Sequence, residues 1–238
     1  MSESANTRQK MTVEIWSDLI CPWCSIGLSR FDKALAAFPE NDSVEVVHRA
    51  FRLAPGAKTE LVVDVIPRKY GLPPSQASSM FDRVEEAARG EGLDFHLARN
   101  LHGDTKDGHR LVQYAATVGK QREVVERFYH AYFTENISLF DHAKLLDLAV
   151  EAGLDREAAR TVLESDSFGD VVEADQRTVQ GYGVSGVPFF VIGGRFGISG
   201  AQETKVFAQA LRQAWDEGAE LADATSAEVC GPEGCERP

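Results

Sequence analysis

The tightest constraint on this chain is Cys21-Pro22-Trp23-Cys24, placed where a strand-like run gives way to a helical one. Thr12 to Trp16 is β-rich and apolar apart from Glu14, and Ser17-Asp18-Leu19-Ile20 leads from it into the cysteines. A helix is predicted from Pro22 to about Phe38, with Ile26, Leu28, Phe31, Leu35 and Phe38 as its apolar positions and Pro39 ending it. Pro22 suits a first helical turn, where a missing N–H costs little. A helix N-terminus offers unpaired N–H groups and partial positive charge, so this spacing favours a thiolate at Cys21. Cys24 falls one turn on, more buried and placed to resolve a mixed disulfide.

The hydrophobic period then divides the rest of the chain. Ser43 to Leu53 reads as a second strand, closed by Ala54-Pro55-Gly56. From about Leu61 to Gly181 the period is helical, with an aromatic stripe over Val124, Val125, Phe128, Tyr129, Tyr132 and Phe133 that reads as core. Strand character returns at Val187 to Ile192, a Gly193-Gly194 hairpin and Arg195 to Ile198, followed by a last helix from about Glu203 to Trp215. The plan is β-α-β, a helical block, then β-β-α and a tail.

Net charge is −12, with 25 basic against 37 acidic residues, which disfavours a general binder of nucleic acid or anionic membranes. Much of the excess is local, because from Asp216 onward seven acids face Arg237 alone. The first residues hold no apolar stretch of the secretory kind, and no run reaches the roughly 18 to 20 apolar residues that span a bilayer. The expectation is a cytoplasmic protein, where close cysteine pairs serve redox chemistry or metal binding more often than structural crosslinking. The chain has two such pairs, Cys21/Cys24 and Cys230/Cys235.

A second signal lies far along the chain. Gly186-Val187-Pro188-Phe189 enters a strand through an X-Pro bond, a position where a cis peptide removes a ladder donor and brings backbone close to a partner. Gly181-x-Gly183-x-x-Gly186 matches a dinucleotide pattern but follows a helix and precedes a strand, the reverse of what pyrophosphate binding needs. His109 reads as a packing residue and Glu14 as solvated by strand alternation. Asp18, beside the motif, is expected to tune Cys21 by its charge, toward a raised pKa.

Taken together, Ser17-Asp18-Leu-Ile-Cys21-Pro22-Trp23-Cys24, Gly108-His109-Arg110-Leu111, Gly183-Val-Ser-Gly-Val187-Pro188-Phe189 and Ile198-Ser-Gly-Ala-Gln202 resemble the DsbA family of thioredoxin-fold oxidoreductases, most closely its FrnE-like branch. The resemblance covers roughly Thr12 to Trp215. It implies an α/β thioredoxin-like fold with a large all-α domain inserted after the second strand. The expected division is residues 12–56 and 183–216 for the thioredoxin-like domain, 57–182 for the insertion and 217–238 for an acidic tail. It also implies Cys21 as nucleophile, Cys24 as resolving cysteine and Pro188 as cis-proline, with Pro22, Trp23 and the Val187 backbone facing substrate. Where DsbA itself carries His, this chain has Trp23, so extreme oxidising power is not carried over.

The expected activity is thiol–disulfide exchange on protein substrates, with glutathione or a thioredoxin-type reductant as partner and no cofactor or metal. Gly231-Pro232-Glu233-Gly234 is turn-prone, so Cys230 and Cys235 are expected within bridging reach, as an auxiliary pair passing electrons to or from Cys21/Cys24. Two alternatives stay open. One is a glutathione-dependent transferase or isomerase of the same fold plan; the other is a non-enzymatic protein whose four cysteines hold zinc.

Overall fold

The computed structural model describes residues 10–227. Strand β1 (Met11–Ser17) leads to helix α1 (Pro22–Ala36) and strand β2 (Val44–Ala50). The short β3 (Glu60–Leu61) is followed by α2 (Val62–Tyr70), α3 (Pro74–Gly90) and the short β4 (Leu101–His102). Five helices come next: α4 (Lys106–Thr117), α5 (Gln121–Phe133), α6 (His142–Glu151), α7 (Arg156–Glu164) and α8 (Gly169–Gly181). The chain closes with β5 (Phe189–Ile192), β6 (Phe196–Ser199) and α9 (Thr204–Ala227).

The main sheet runs β2-β1-β5-β6. β2 is parallel to β1, with Val13 opposite Val46, as the helical crossover between them requires. β5 is antiparallel to both β1 and β6. Gly193 and Gly194, at φ 59° and 69°, form the turn between β5 and β6, a conformation that favours glycine at both places. This is the expected thioredoxin-like α/β sheet, with a run of helices entering after β2.

Both faces of the sheet are covered. On one, Phe31 of α1 and Phe207 of α9 meet Phe190 of β5 at ring separations of 5.6 and 4.6 Å. On the other, the Trp16 indole donates to the Asp175 carbonyl of α8 at 2.9 Å, while the Asp175 carboxylate accepts from Ala50 N at 2.9 Å and Gln113 Nε2 at 3.1 Å. The aromatic stripe of α5 is core as expected, with Val124, Phe128 and Phe133 wholly buried. Arg110, only 3% exposed, donates to the carbonyls of Val162, Ser165 and Ser167, pinning α4 to the segment between α7 and α8. Glu14 pairs at the surface with Arg49 at 2.7 Å.

The element ends differ from the sequence reading for local reasons. α1 stops at Ala36 because Pro39 disfavours helical backbone at Phe38, although Phe38 still packs into the core. β2 stops at Ala50: Phe51 N still donates to the Ser17 carbonyl at 3.0 Å, but the following amides are taken by side chains, Arg52 N by Gln176 Oε1 and Leu53 N by Asp18 Oδ2. β5 starts only at Phe189, since Pro188 has no N–H to give. α9 continues to Ala227, into residues read as tail, because Glu217 to Ala227 holds helix formers and no proline. β3 and β4, two residues each, were too short for any period to mark.

A buried group and a partly buried one, His48 and Asp32, set an acid-side prediction. His48 of β2 is fully buried, and desolvation, then the charge of Arg122, lowers its pKa to about 4. Asp32 of α1 is raised to about 6 by desolvation, against the opposing charge of Arg122 at 3.0 Å. The folded state therefore binds fewer protons at His48 as pH falls from 6.5 toward 4, which lowers stability. At Asp32 it binds more protons between about 6 and 3.8, which raises stability in nearly the same window. Each contribution is about 3 kcal/mol at full extent, so the two offset. Asp32→Asn is expected to expose the His48 loss as a steeper fall in urea midpoint between pH 6.5 and 4; an unchanged slope would refute this.

Candidate active site

The turn after β1 places the cysteines. Cys21 N donates to the Asp18 carbonyl at 3.1 Å, and Cys21 is the N-cap of α1 in extended conformation, with Pro22 in the first turn. Its carbonyl accepts from Cys24 N at 3.0 Å. Both cysteines are free thiols. Cys21 borders a cleft of about 850 Å³, whereas Cys24 does not line it and is 1% exposed. Burial pushes the Cys24 thiol well up, reinforced by its hydrogen bond to Cys21 and the charge of Asp18, against a lowering contact from the Asp18 backbone. Cys21, 6% exposed, borders the cleft, and Cys24 is sealed beneath it.

The Val187–Pro188 peptide is cis, and the Cys21 thiol lies 3.7 Å from the Val187 carbonyl that accepts from it. Pro188 presses on α1 at Gly27, where an added Cβ would sit 3.0 Å from the Pro188 ring. The fold thus brings Cys21, Cys24 and Pro22 next to Val187 and Pro188, from segments about 165 residues apart. Trp23 is 42% exposed at the cleft edge. Cys230 and Cys235 lie outside the described residues.

The buried surroundings of the cysteines were less legible. Asp18 is wholly buried; its Oδ1 accepts from Thr105 Oγ1 at 2.7 Å and its Oδ2 from Leu53 N at 2.6 Å. His109 Nε2 lies 3.6 Å from Asp18 Oδ1 without a hydrogen-bond partner. His109 is a packing residue, as read, but it packs against the carboxylate behind the active site. α4 reaches this turn because Gly108 has no side chain; a Cβ there would meet Leu19 Cδ1 at 2.6 Å. Asp18's charge bears on Cys24 and on Tyr129, whose hydroxyl donates to the Asp18 carbonyl at 3.4 Å. In sequence Asp18 and Gly108-His109 stood in separate segments with nothing to join them, and Thr105 carried no signal.

The far wall of the cleft comes from α2, α3 and the β4 segment, with Ile66, Lys69, Phe81, Arg83, Asn100 and His102 among its residues. None was singled out from sequence as a site residue, since amphipathic helices carry no mark of what they face. No helix among the described residues is long and apolar enough to cross a membrane.

Comparison with known proteins agrees with this geometry. A crystal structure of a probable DsbA oxidoreductase from Streptomyces coelicolor is 43% identical, with a TM-score of 0.84 over 96% of this chain and 99% of that one. The cytosolic disulfide reductase DsbM from Pseudomonas aeruginosa, solved with glutathione, shares the fold at 16% identity and TM-score 0.58, over 90% and 99% of the two chains. Among curated proteins, the uncharacterized protein YwbO of Bacillus subtilis is 26% identical over 201 residues, 84% of this chain and 94% of its own. The DSBA-like thioredoxin domain matches residues 12–212, so with its cysteine pair, helical insertion and strand order this chain belongs to the DsbA-like thioredoxin domain family.

Proposed function

We propose that the protein is a thiol–disulfide oxidoreductase or isomerase acting on protein disulfides in the cytoplasm, without a resident cofactor. The Cys21 thiolate attacks a substrate disulfide, a Cys21–substrate bond forms, and the second substrate sulfur leaves as thiolate. Cys24 then loses its proton and attacks Cys21, freeing the reduced substrate and closing the Cys21–Cys24 disulfide. In isomerisation a second substrate thiol displaces Cys21 instead. Val187 and Pro188 align the substrate backbone, and Pro22 and Trp23 contact it from the opposite side. Glutathione or a thioredoxin-type protein returns the pair to its working state.

The observation that carries this reading is the asymmetry of the two sulfurs: Cys21 on the cleft beside the Val187 carbonyl, Cys24 enclosed beneath it. The FrnE-like assignment and the helical segment 57–182 as a separate domain belong to the same proposal. So does an auxiliary role for Cys230/Cys235 in exchange with Cys21/Cys24. The test is a glutathione redox titration of the metal-free protein, each pair followed by peptide mass mapping. A reversible two-electron transition at Cys21/Cys24 is expected, with a separate one at Cys230/Cys235. Absence of any reversible oxidation at Cys21/Cys24, or glutathione-dependent turnover surviving Cys21→Ala and Cys24→Ala, overturns the reading.

A further inference from the structure

The cleft beside Cys21 has a charge that the rest of the molecule does not. The chain carries −12, yet the cleft lining includes Lys69, Arg83 and His102 and no aspartate or glutamate. Among the described residues neither Lys69 nor Arg83 has a carboxylate partner. The Lys69 ammonium stands 5.8 Å from the Tyr70 ring, and Arg83 Nε donates only to the Ser79 carbonyl of its own helix at 3.2 Å. In a protein whose other arginines and lysines are mostly paired with acids, two unpaired cations on one wall leave a local positive field.

The nearby carboxylates lie outside the lining: Glu60 is paired with Arg68 at 2.9 Å, and Asp18, buried behind the active-site turn with Thr105 and Leu53 as donors, still places a negative charge within reach of His102. His102 is lowered first by burial and then by the charge of Lys69, while Asp18 and Glu60 raise it and Arg68 lowers it. Deeper in the same cleft, Asn100 is 3% exposed and its Nδ2 has no hydrogen-bond partner, its Oδ1 being taken by Asn136 Nδ2 at 2.5 Å. A buried amide donor left unsatisfied is costly, and an incoming acceptor oxygen satisfies it. The rest of the wall is apolar, with Ile66, Phe81 and Val84 beside Trp23 and Tyr70.

On the strength of the exchange activity proposed above, we infer that this cleft selects polypeptide disulfides in which an acidic side chain and an apolar residue lie close to the reacting cysteine. The carboxylate meets Lys69 and Arg83, with Asn100 Nδ2 as donor farther in, and the apolar side chain fills the surface between α2 and α3. At about 850 Å³ the cleft is at the upper end of the usual range for a single small ligand, which suits several side chains of an extended segment. The chemistry is unchanged: the Cys21 thiolate forms a bond to the peptide sulfur, the peptide S–S bond breaks, and the departing thiolate takes a proton from water.

The test uses the full chain carrying Cys24→Ser, Cys230→Ser and Cys235→Ser, so that the mixed disulfide accumulates on Cys21. Its formation rate is measured with symmetric disulfides of three peptides, Ac-Phe-Glu-Cys-Gly-NH2 and the same sequence with Gln or Lys in place of Glu. The Glu peptide is expected to react about tenfold faster than the Lys peptide at low salt, the gap narrowing by 0.5 M salt as screening sets in. In Lys69→Gln/Arg83→Gln protein the Glu-to-Gln rate ratio is expected to collapse toward one. Equal rates for all three peptides in the parent protein, with hydroxyethyl disulfide still reacting, overturn the acid selection and leave the exchange reading standing. No reaction with any of these, hydroxyethyl disulfide included, overturns both. Oxidised glutathione reacting more than about tenfold faster than the Glu peptide would assign the cations to a small anionic thiol and overturn the polypeptide reading.

Discussion

Cys21→Ser protein is expected to lose thiol–disulfide exchange by at least about a thousandfold, because a serine hydroxyl at this position has no thiolate form to attack a disulfide sulfur. Cys24→Ser is expected to behave differently. The first attack survives, since Cys21 keeps its place at the start of α1 and on the cleft, but the product stays bound as a mixed disulfide. In proteins that also carry Cys230→Ser and Cys235→Ser, incubation with a peptide disulfide followed by intact-mass measurement separates the two: no adduct on Cys21→Ser, a stoichiometric adduct on Cys24→Ser. An adduct on the Cys21→Ser protein would reverse the assigned roles. The sealed position of Cys24 makes that outcome hard to reach, because a substrate sulfur would have to enter a site that is 1% exposed.

What the sequence disclosed and what it withheld divide along physical lines. The cysteine pair was legible because strand, turn and helix N-terminus are all local and leave their marks within a dozen residues. The sheet was legible because β1, β2, β5 and β6 each carry their own period and the Gly193-Gly194 turn fixes the pairing of the last two. The Asp18 cluster was not, because its members come from three segments and a buried carboxylate looks in sequence like any surface acid. In the fold the charge of Asp18 bears on Cys24, a buried partner that the sequence did not disclose, and the carboxylate turns inward to Thr105 and Leu53. The cationic cleft wall was hidden for a related reason. Lys69 and Arg83 lie on ordinary amphipathic helices, and only the packing of α2 and α3 beside Cys21 gives them a common face.

Removing that inward carboxylate is expected to have the largest effect of any change outside the cysteines. Asp18 joins the active-site turn, the segment after β2 and the start of α4 through its contacts to Leu53 N, Thr105 Oγ1 and His109. Asp18→Leu leaves those groups buried without an acceptor and should cost about 3–5 kcal/mol, read as a lowered urea midpoint. Asp18→Asn keeps the shape and one acceptor oxygen, so its cost should be smaller, about 1–3 kcal/mol. The two variants separate packing from charge. In the folded Asn variant the negative charge that helps hold the Cys24 proton is gone, so Cys24 ionises more readily, though burial still dominates. Release of substrate from the Cys21 mixed disulfide should then reach half its maximal rate at a lower pH than in the parent protein. A rate–pH curve that stays in place, in a variant shown to be folded, would mean that Asp18 holds the turn together and leaves the resolving thiol untouched.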